Sequence, residues 1–215
     1  IISYQTHCYW ELTYNHHTDP YLDTVDKVNY LIKDSIKKQL TKDTTICYLL
    51  SGGIDSSLVT YIAKSMRDKE NRELKTYAFE FEGNEIFFNG NSFQNSLDRP
   101  YVEIMRKYLN SNHKYLTCDS SGQIKYLKET VDMRDAPCMA DIESSLMYFC
   151  NEISETNNIA LTGECADEVF GGYPWFHRDE MLNSNSFPWS KDLSVRTSLF
   201  NDSFIQSLNL EEYVD

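Results

Sequence analysis

The chain has 215 residues, 41% hydrophobic and 13% aromatic, enough for one full core and against a disordered segment. Twenty Lys and Arg against 33 Asp and Glu leave a charge of −13, with the acids scattered rather than gathered in a tail. Nucleic acid is disfavoured, because the nearest approach to a basic stripe, Lys33 to Lys42, is broken by apolar and acidic residues; no run of eighteen apolar residues invites a membrane.

Residues 1–20 are polar and aromatic without helical period, end in the turn signal Asp19-Pro20, and read as a linker or a strand remnant. From Tyr21 to Gln39, Leu22, Val25, Val28, Leu31, Ile32 and Ile36 recur at helical spacing and predict an amphipathic helix. Thr45 to Leu50 (TICYLL) is a short β-branched and aromatic run, a buried strand entering the glycine turn SGGIDSS. Leu58, Val59, Ile62, Ala63 and Met66 then repeat on one helical face. A second strand is expected at 74–81, a helix at 100–109, a third strand at 114–118, helices at 123–134 and 141–155, and a fourth strand at 158–162. The stretch 82–99, rich in Asn, Gly and Ser, is too long for an ordinary connection and reads as functional or mobile. Beyond Trp175 only helical pieces are expected. Strands alternating with helices predict an α/β fold, a parallel sheet with helices on both faces, whose ligands collect outside the carboxyl ends of the strands.

Two glycine turns fall at such ends. The first, Ser51-Gly52-Gly53-Ile54-Asp55-Ser56-Ser57, joins a tight bend to a helix N-terminus; its N–H groups, hydroxyls and helix dipole would cradle a phosphate. No GxxxxGK[ST] follows, so no lysine reaches a γ-phosphate. Asp55 inside an anion cradle makes sense as a ligand of a divalent cation, or, more plainly, as a cap. In the second turn, Thr162 to Tyr173, the carboxylates of Glu164, Asp167 and Glu168 crowd within five residues and would repel one another without a cation or partner, unless they are a solvated helix start. Asp167 is the natural second metal ligand opposite Asp55, and Glu164 could hold a substrate ammonium or accept a proton.

At these residues a resemblance becomes visible. SGGIDSS is similar to the pyrophosphatase loop (PP-loop) of N-type ATP pyrophosphatases, and LTGECADEVFGGY to the second motif of glutamine-hydrolysing asparagine synthetases. The likeness extends over roughly residues 8–180 in order and spacing. It implies an adenine nucleotide alpha hydrolase-like fold, with ATP phosphates held by Ser51, Gly52, Gly53, Asp55, Ser56 and Ser57, and Mg²⁺ by Asp55 and Asp167. Leu49, Phe79, Thr162 and Gly163 would flank the adenosine, while Glu164 and Asp167 take the catalytic positions. The reaction implied is adenylation of the aspartate side chain, release of pyrophosphate, and displacement of AMP by ammonia. β-Lactam synthetases and lasso-peptide cyclases share the activation step and stand as alternatives, as does a catalytically silent ATP-binding fragment.

The resemblance also sets expectations about organisation. Residues 1–20 would be the linker from a glutaminase domain that supplies ammonia, 21–180 the ATP-binding domain, and 181–215 part of a helical C-terminal region. Ile1 in place of a methionine agrees with an internal fragment, and Lys191 does not occupy the context of the family's C-terminal lysine. Such a fragment would bind Mg·ATP weakly and turn over poorly; association into a homodimer stays open. Cys165 stands where the motif carries glycine, and the match around Pro137 to Asp141 is loose, so the acid recognised is undecided. Six cysteines without CxxC or regular spacing suggest neither zinc nor disulfides and agree with a cytoplasmic location. His16-His17 and His113 read as surface, and Trp175 and Phe176 as packing around the second turn.

Overall fold

The structure, a computed structural model, describes residues 5–40, 45–68, 72–90, 94, 96–183, 187, 193–210 and 212. Contacts divide the chain into two compact units, Ile1–Gln39 and Leu40–Asp215. In the first, helix α1 spans Tyr21–Gln39, the limits its apolar period predicts. The Thr24 hydroxyl donates to the Pro20 carbonyl at 3.0 Å, and His17 Nε2 lies 2.7 Å from the same hydroxyl, which settles His17 at the helix start. Residues 5–20 contain no strand. The apolar stripe of α1 is largely exposed, with Ile36 its buried member.

The second unit runs β1 (Ile46–Leu49), α2 (Ile54–Arg67), β2 (Lys75–Phe81), α3 (Asn84–Phe87), α4 (Arg99–Leu109), β3 (Asn112–Cys118), α5 (Ser120–Arg134), α6 (Ala140–Ser154), β4 (Ile159–Leu161) and α7 (Ala166–Phe170). A 3₁₀ turn (Pro174–Phe176) and the short helices α8 (Asp179–Leu182), α9 (Ser194–Thr197) and α10 (Asp202–Leu208) follow. Helix α5 starts earlier than its apolar period suggests, because Asp119 accepts the Gly122 N–H at 2.6 Å and caps it. Lys191 and Pro188 lie outside the described residues.

The four strands are parallel and ordered β3-β2-β1-β4. Side chains alternate between two cores. Cys47, Tyr77, Leu116 and Cys118 meet Phe149 and Ile153 of α6 on one face, while Leu50 and Ala78 meet Val102 of α4 on the other. Burial pushes the Cys47 thiol up to about 11, so it packs as a small apolar residue. All six cysteines are free.

This order positions the site. The chain moves outward from β1 to β3, then crosses to the far side of β1 to place β4, so the winding reverses between β1 and β4. The two glycine turns leave these neighbouring strands and touch each other. A Cβ on Gly163 would lie 2.6 Å from the Ser56 nitrogen and 2.7 Å from the Asp55 carbonyl carbon, so the second turn rests on the backbone of α2. Gly52, at φ +80°, is wedged against α4, where a Cβ would sit 2.7 Å from that of Tyr101.

His113 departs from the surface position expected of it. It is part of β3, with Nδ1 2.8 Å from the Thr76 hydroxyl and its ring edge-on to Tyr115 at 4.6 Å. Burial first, then the charge of Arg106, holds its pKa below the ordinary histidine value. The long stretch after β2 contains the short helix α3, while 91–93 and 95 lie outside the described residues.

Three outcomes follow from this packing. Gly163→Ala forces backbone apart and lowers unfolding stability by about 1–3 kcal/mol, read from the urea midpoint. Cys165→Gly raises it by up to about 1 kcal/mol, since Cys165 sits at φ +69°, where only glycine is unstrained. For His113 the folded ring ionises at lower pH than the unfolded one. Its contribution is therefore complete above the unfolded value near 6.5 and is lost as pH falls below it. Urea midpoints across that window should fall less steeply in His113→Gln than in wild type.

Candidate active site

An open cleft of about 1110 Å³ lies at the carboxyl ends of β1, β2 and β4. Of the residues singled out in the sequence, it brings together Leu49, Ser51, Gly53, Asp55, Ser56, Phe79, Thr162, Gly163, Glu164 and Asp167. Gly52 and Ser57 stay outside it. Gly52 is turned toward α4, and the Ser57 N–H donates to the Gly53 carbonyl at 3.2 Å within the first turn of α2.

The first turn is held from inside by Ser56. Its buried hydroxyl accepts the Ser51 N–H at 3.2 Å, lies 3.0 Å from the Ser51 hydroxyl and donates to the Gly53 carbonyl at 3.3 Å. Gly53 takes the N-cap position of α2, and no side chain caps the helix. Asp55 therefore does not do the capping that its sequence position allowed for. The start of this fourteen-residue helix lines the cleft without a side-chain cap, which suits an anion.

The second turn leaves β4 through Thr162, whose hydroxyl accepts the Glu164 N–H at 3.1 Å. Cys165 in the left-handed conformation then swings the chain into α7. Asp167 is pinned by shape, since a Cβ on Gly172 would collide with its carboxylate. Its carboxyl is held above the ordinary carboxylate value, chiefly by burial and then by the negative charges of Asp55 and Glu168. The charge of Asp55 in the first turn thus reaches Asp167 in the second. Glu168, the third acid of the cluster, accepts the Tyr173 hydroxyl at 3.0 Å, and this bond, the largest cause, raises that phenol to about 12. Tyr173 in turn stacks on Trp175 at 4.3 Å, the packing role expected of that aromatic.

The cleft also contains residues that the sequence reading passed over. Phe149 of α6 stacks on Phe79 with ring centroids 4.1 Å apart and planes within 4°, making an apolar wall with Ile142 and Leu146. On the opposite side Glu80, Arg99 and Tyr115 line the wall, with Arg99 Nε donating to Glu80 Oε1 at 2.7 Å. The available signal was positional. Glu80 follows Phe79 at a strand's carboxyl end, but nothing local links it to Arg99, 19 residues on. Among the described residues no group of three His, Cys, Asp or Glu side chains forms a metal cage. None of the described helices is long and apolar enough to cross a membrane.

Comparison with known proteins places this geometry in a lineage. The asparagine synthase family model matches residues 27–215. The chain is similar to asparagine synthetase [glutamine-hydrolyzing] 3 of Bacillus subtilis (strain 168), 40% identical over 208 residues that cover 96% of this chain and 34% of the relative. It is also similar to asparagine synthetase B [glutamine-hydrolyzing] of Escherichia coli (strain K12), 29% identical over 175 residues, 74% of this chain and 30% of that protein. Among solved structures, the NH3-dependent NAD synthetase from Campylobacter jejuni overlaps 73% of this chain and 62% of its own at 15% identity and a TM-score of 0.37. The chain thus spans about a third of the length of these curated relatives. With nearly all of it from α1 onward matched by one family model, and both glycine turns inside that match, the chain belongs to the asparagine synthase family.

Proposed function

We propose that the cleft binds Mg·ATP and uses it to adenylate a carboxylate for amide formation, with the side chain of aspartate as the acid and ammonia as the nucleophile. The observation that carries this reading is the meeting of the two turns: Gly163 rests on the start of α2, and Asp55 and Asp167 line one cleft.

The two carboxylates fit a magnesium ion. Mg²⁺ keeps octahedral geometry with one or two carboxylates and fills its other positions with phosphate oxygens and water, so a pair of hard oxygen donors is the expected protein share. Asp167 retains its proton more tightly than an ordinary aspartate because burial and then Asp55 oppose its charge, and a cation beside it would offset that opposition. Bound there, the metal would neutralise the β and γ phosphates as pyrophosphate leaves.

The chain's own residues divide the remaining work. Ser51, Gly53 and the N-terminal N–H groups of α2 receive the phosphates, while Ser56 keeps the turn in shape from within. Leu49, Phe79, Thr162 and Gly163 offer the surface for the adenosine, the Phe79–Phe149 stack stiffening the apolar side. Glu164, exposed beside this surface, is suited to hold the incoming ammonia or take its proton. Attack at the α-phosphate makes pyrophosphate the leaving group, which explains why the loop clamps the outer phosphates and carries no lysine. Holding carboxylate and phosphorus in line would contribute up to roughly 7–11 kcal/mol of the barrier reduction. In the whole protein the ammonia would come from hydrolysis of glutamine, the reaction that the relatives' names carry.

Two measurements test this. Asp167→Asn and Asp55→Asn should each weaken Mg²⁺-dependent ATP binding by a factor of ten or more, about 1.4 kcal/mol, while adenosine binding stays level. In the whole protein, pyrophosphate release should rise with aspartate and not with glutamate. Release indifferent to aspartate would falsify the choice of acid.

A further inference from the structure

The cleft is rich in carboxylates and poor in cations. Among its described lining residues, Asp55, Glu80, Glu85, Asp98, Glu164 and Asp167 face one cationic side chain, Arg99. Arg99 opens α4, next to the Asp98 carbonyl on which Gly52 is wedged, so its backbone is tied to the first glycine turn. Its guanidinium lies along Glu80, with Nε 2.7 Å from Oε1 and Nη2 2.5 Å from Oε2, and 4.3 Å over the Tyr115 ring. Tyr115 is itself fixed, donating its hydroxyl to Glu103 at 2.9 Å.

The arginine side chain is 57% exposed against 18% for Glu80, so the carboxylate end of this two-point pair is sheltered while the guanidinium still reaches the cleft. Glu80 occupies the Nε and Nη2 edge of a group with five N–H donors and leaves Nη1 uncommitted to it. A guanidinium held over an aromatic ring, with its Nε and Nη2 edge bonded to a carboxylate, can receive oxygens of a phosphate or carboxylate on its remaining N–H groups. Mg·ATP is still an anion after one metal has bound. Entering a cleft with six carboxylates, it needs positive charge that neither glycine turn supplies as a side chain.

We propose that Arg99, positioned by Glu80 and Tyr115, is the cationic contact of this cleft for an anionic ligand group. The inference rests on the nucleotide reading above and adds a residue outside both family motifs. The shared chemistry is a pair of anionic oxygens, which ATP presents in its phosphates and the acid substrate in its carboxylates.

The test is titration calorimetry of the 215-residue chain with Mg·ATP, adenosine and aspartate, on wild type, Arg99→Met, Arg99→Lys and Glu80→Gln, with urea unfolding of each. Arg99→Met should weaken Mg·ATP about tenfold or more while adenosine holds within about twofold; Arg99→Lys should recover part of the loss, and Glu80→Gln should fall between. If aspartate binding drops in Arg99→Met and Mg·ATP does not, the contact stands and its partner is the acid. Mg·ATP and aspartate both unchanged, or Mg·ATP and adenosine weakened together in step with stability, overturns the inference. A wild-type chain that binds no Mg·ATP instead overturns the nucleotide reading, and this inference with it. No Arg99 variant can produce that result.

Discussion

The site depends on one close approach, the backbone of Gly163 against the backbone of Asp55 and Ser56. No side chain of any size fits there, so the distance between the two turns is set by main-chain atoms, which cannot change rotamer. Pairing of β1 with β4, Ile46 to Ile159 through Tyr48 to Leu161, fixes the height of both turns above the sheet. The switch in winding direction between these strands leaves the crevice open beyond them. The positions of Asp55 and Asp167 follow from that contact. Both aspartates line one cleft because the turns that carry them are in contact.

A second constraint is electrostatic. Burial and the neighbouring acids work against charge on Asp167, while the uncapped start of α2 and Arg99 work in favour of anions nearby. A cleft with both features repels a bare anion from one wall and a bare cation from the other. It is suited to a ligand that brings both, an oxyanion chain with its own metal. The same logic accounts for Glu168. Engaged by Tyr173, it stabilises the turn after α7 and leaves Asp167 as that helix's carboxylate in the cleft.

Much of this was legible in the sequence because local rules and tertiary need coincide. The run TICYLL, the glycine turn and the helical repeat from Leu58 to Met66 each announce their own conformation, and parallel strands buried on both faces leave few other ways to assemble them. The motif residues gather in the cleft because each turn directly follows its strand. What stayed hidden depends on contacts across the chain. His113 looks like loop surface until β3 is seen to start at Asn112, which brings it alongside Thr76. Gly52 looks like a ligand-facing glycine until α4 is seen against it. The pairing of Glu80 with Arg99 joins a strand end to a helix start, and no periodicity encodes such a pair.

Cys165 shows how these constraints rank. Its backbone lies in the left-handed region, a conformation that costs a side chain on the order of 1–2 kcal/mol and glycine nothing. The chain nonetheless reaches Asp167, with Gly163 behind Cys165 packed on the start of α2 and Gly172 beyond it packed on the Asp167 carboxylate. The strain falls on a residue whose exposed side chain has room, while the two positions where backbone or carboxylate must touch glycine keep it. A cysteine is therefore tolerable between Glu164 and Ala166 where an alanine at Gly163 or Gly172 is not. The turn's sequence is constrained by what each residue touches, more than by the dihedral angles it adopts.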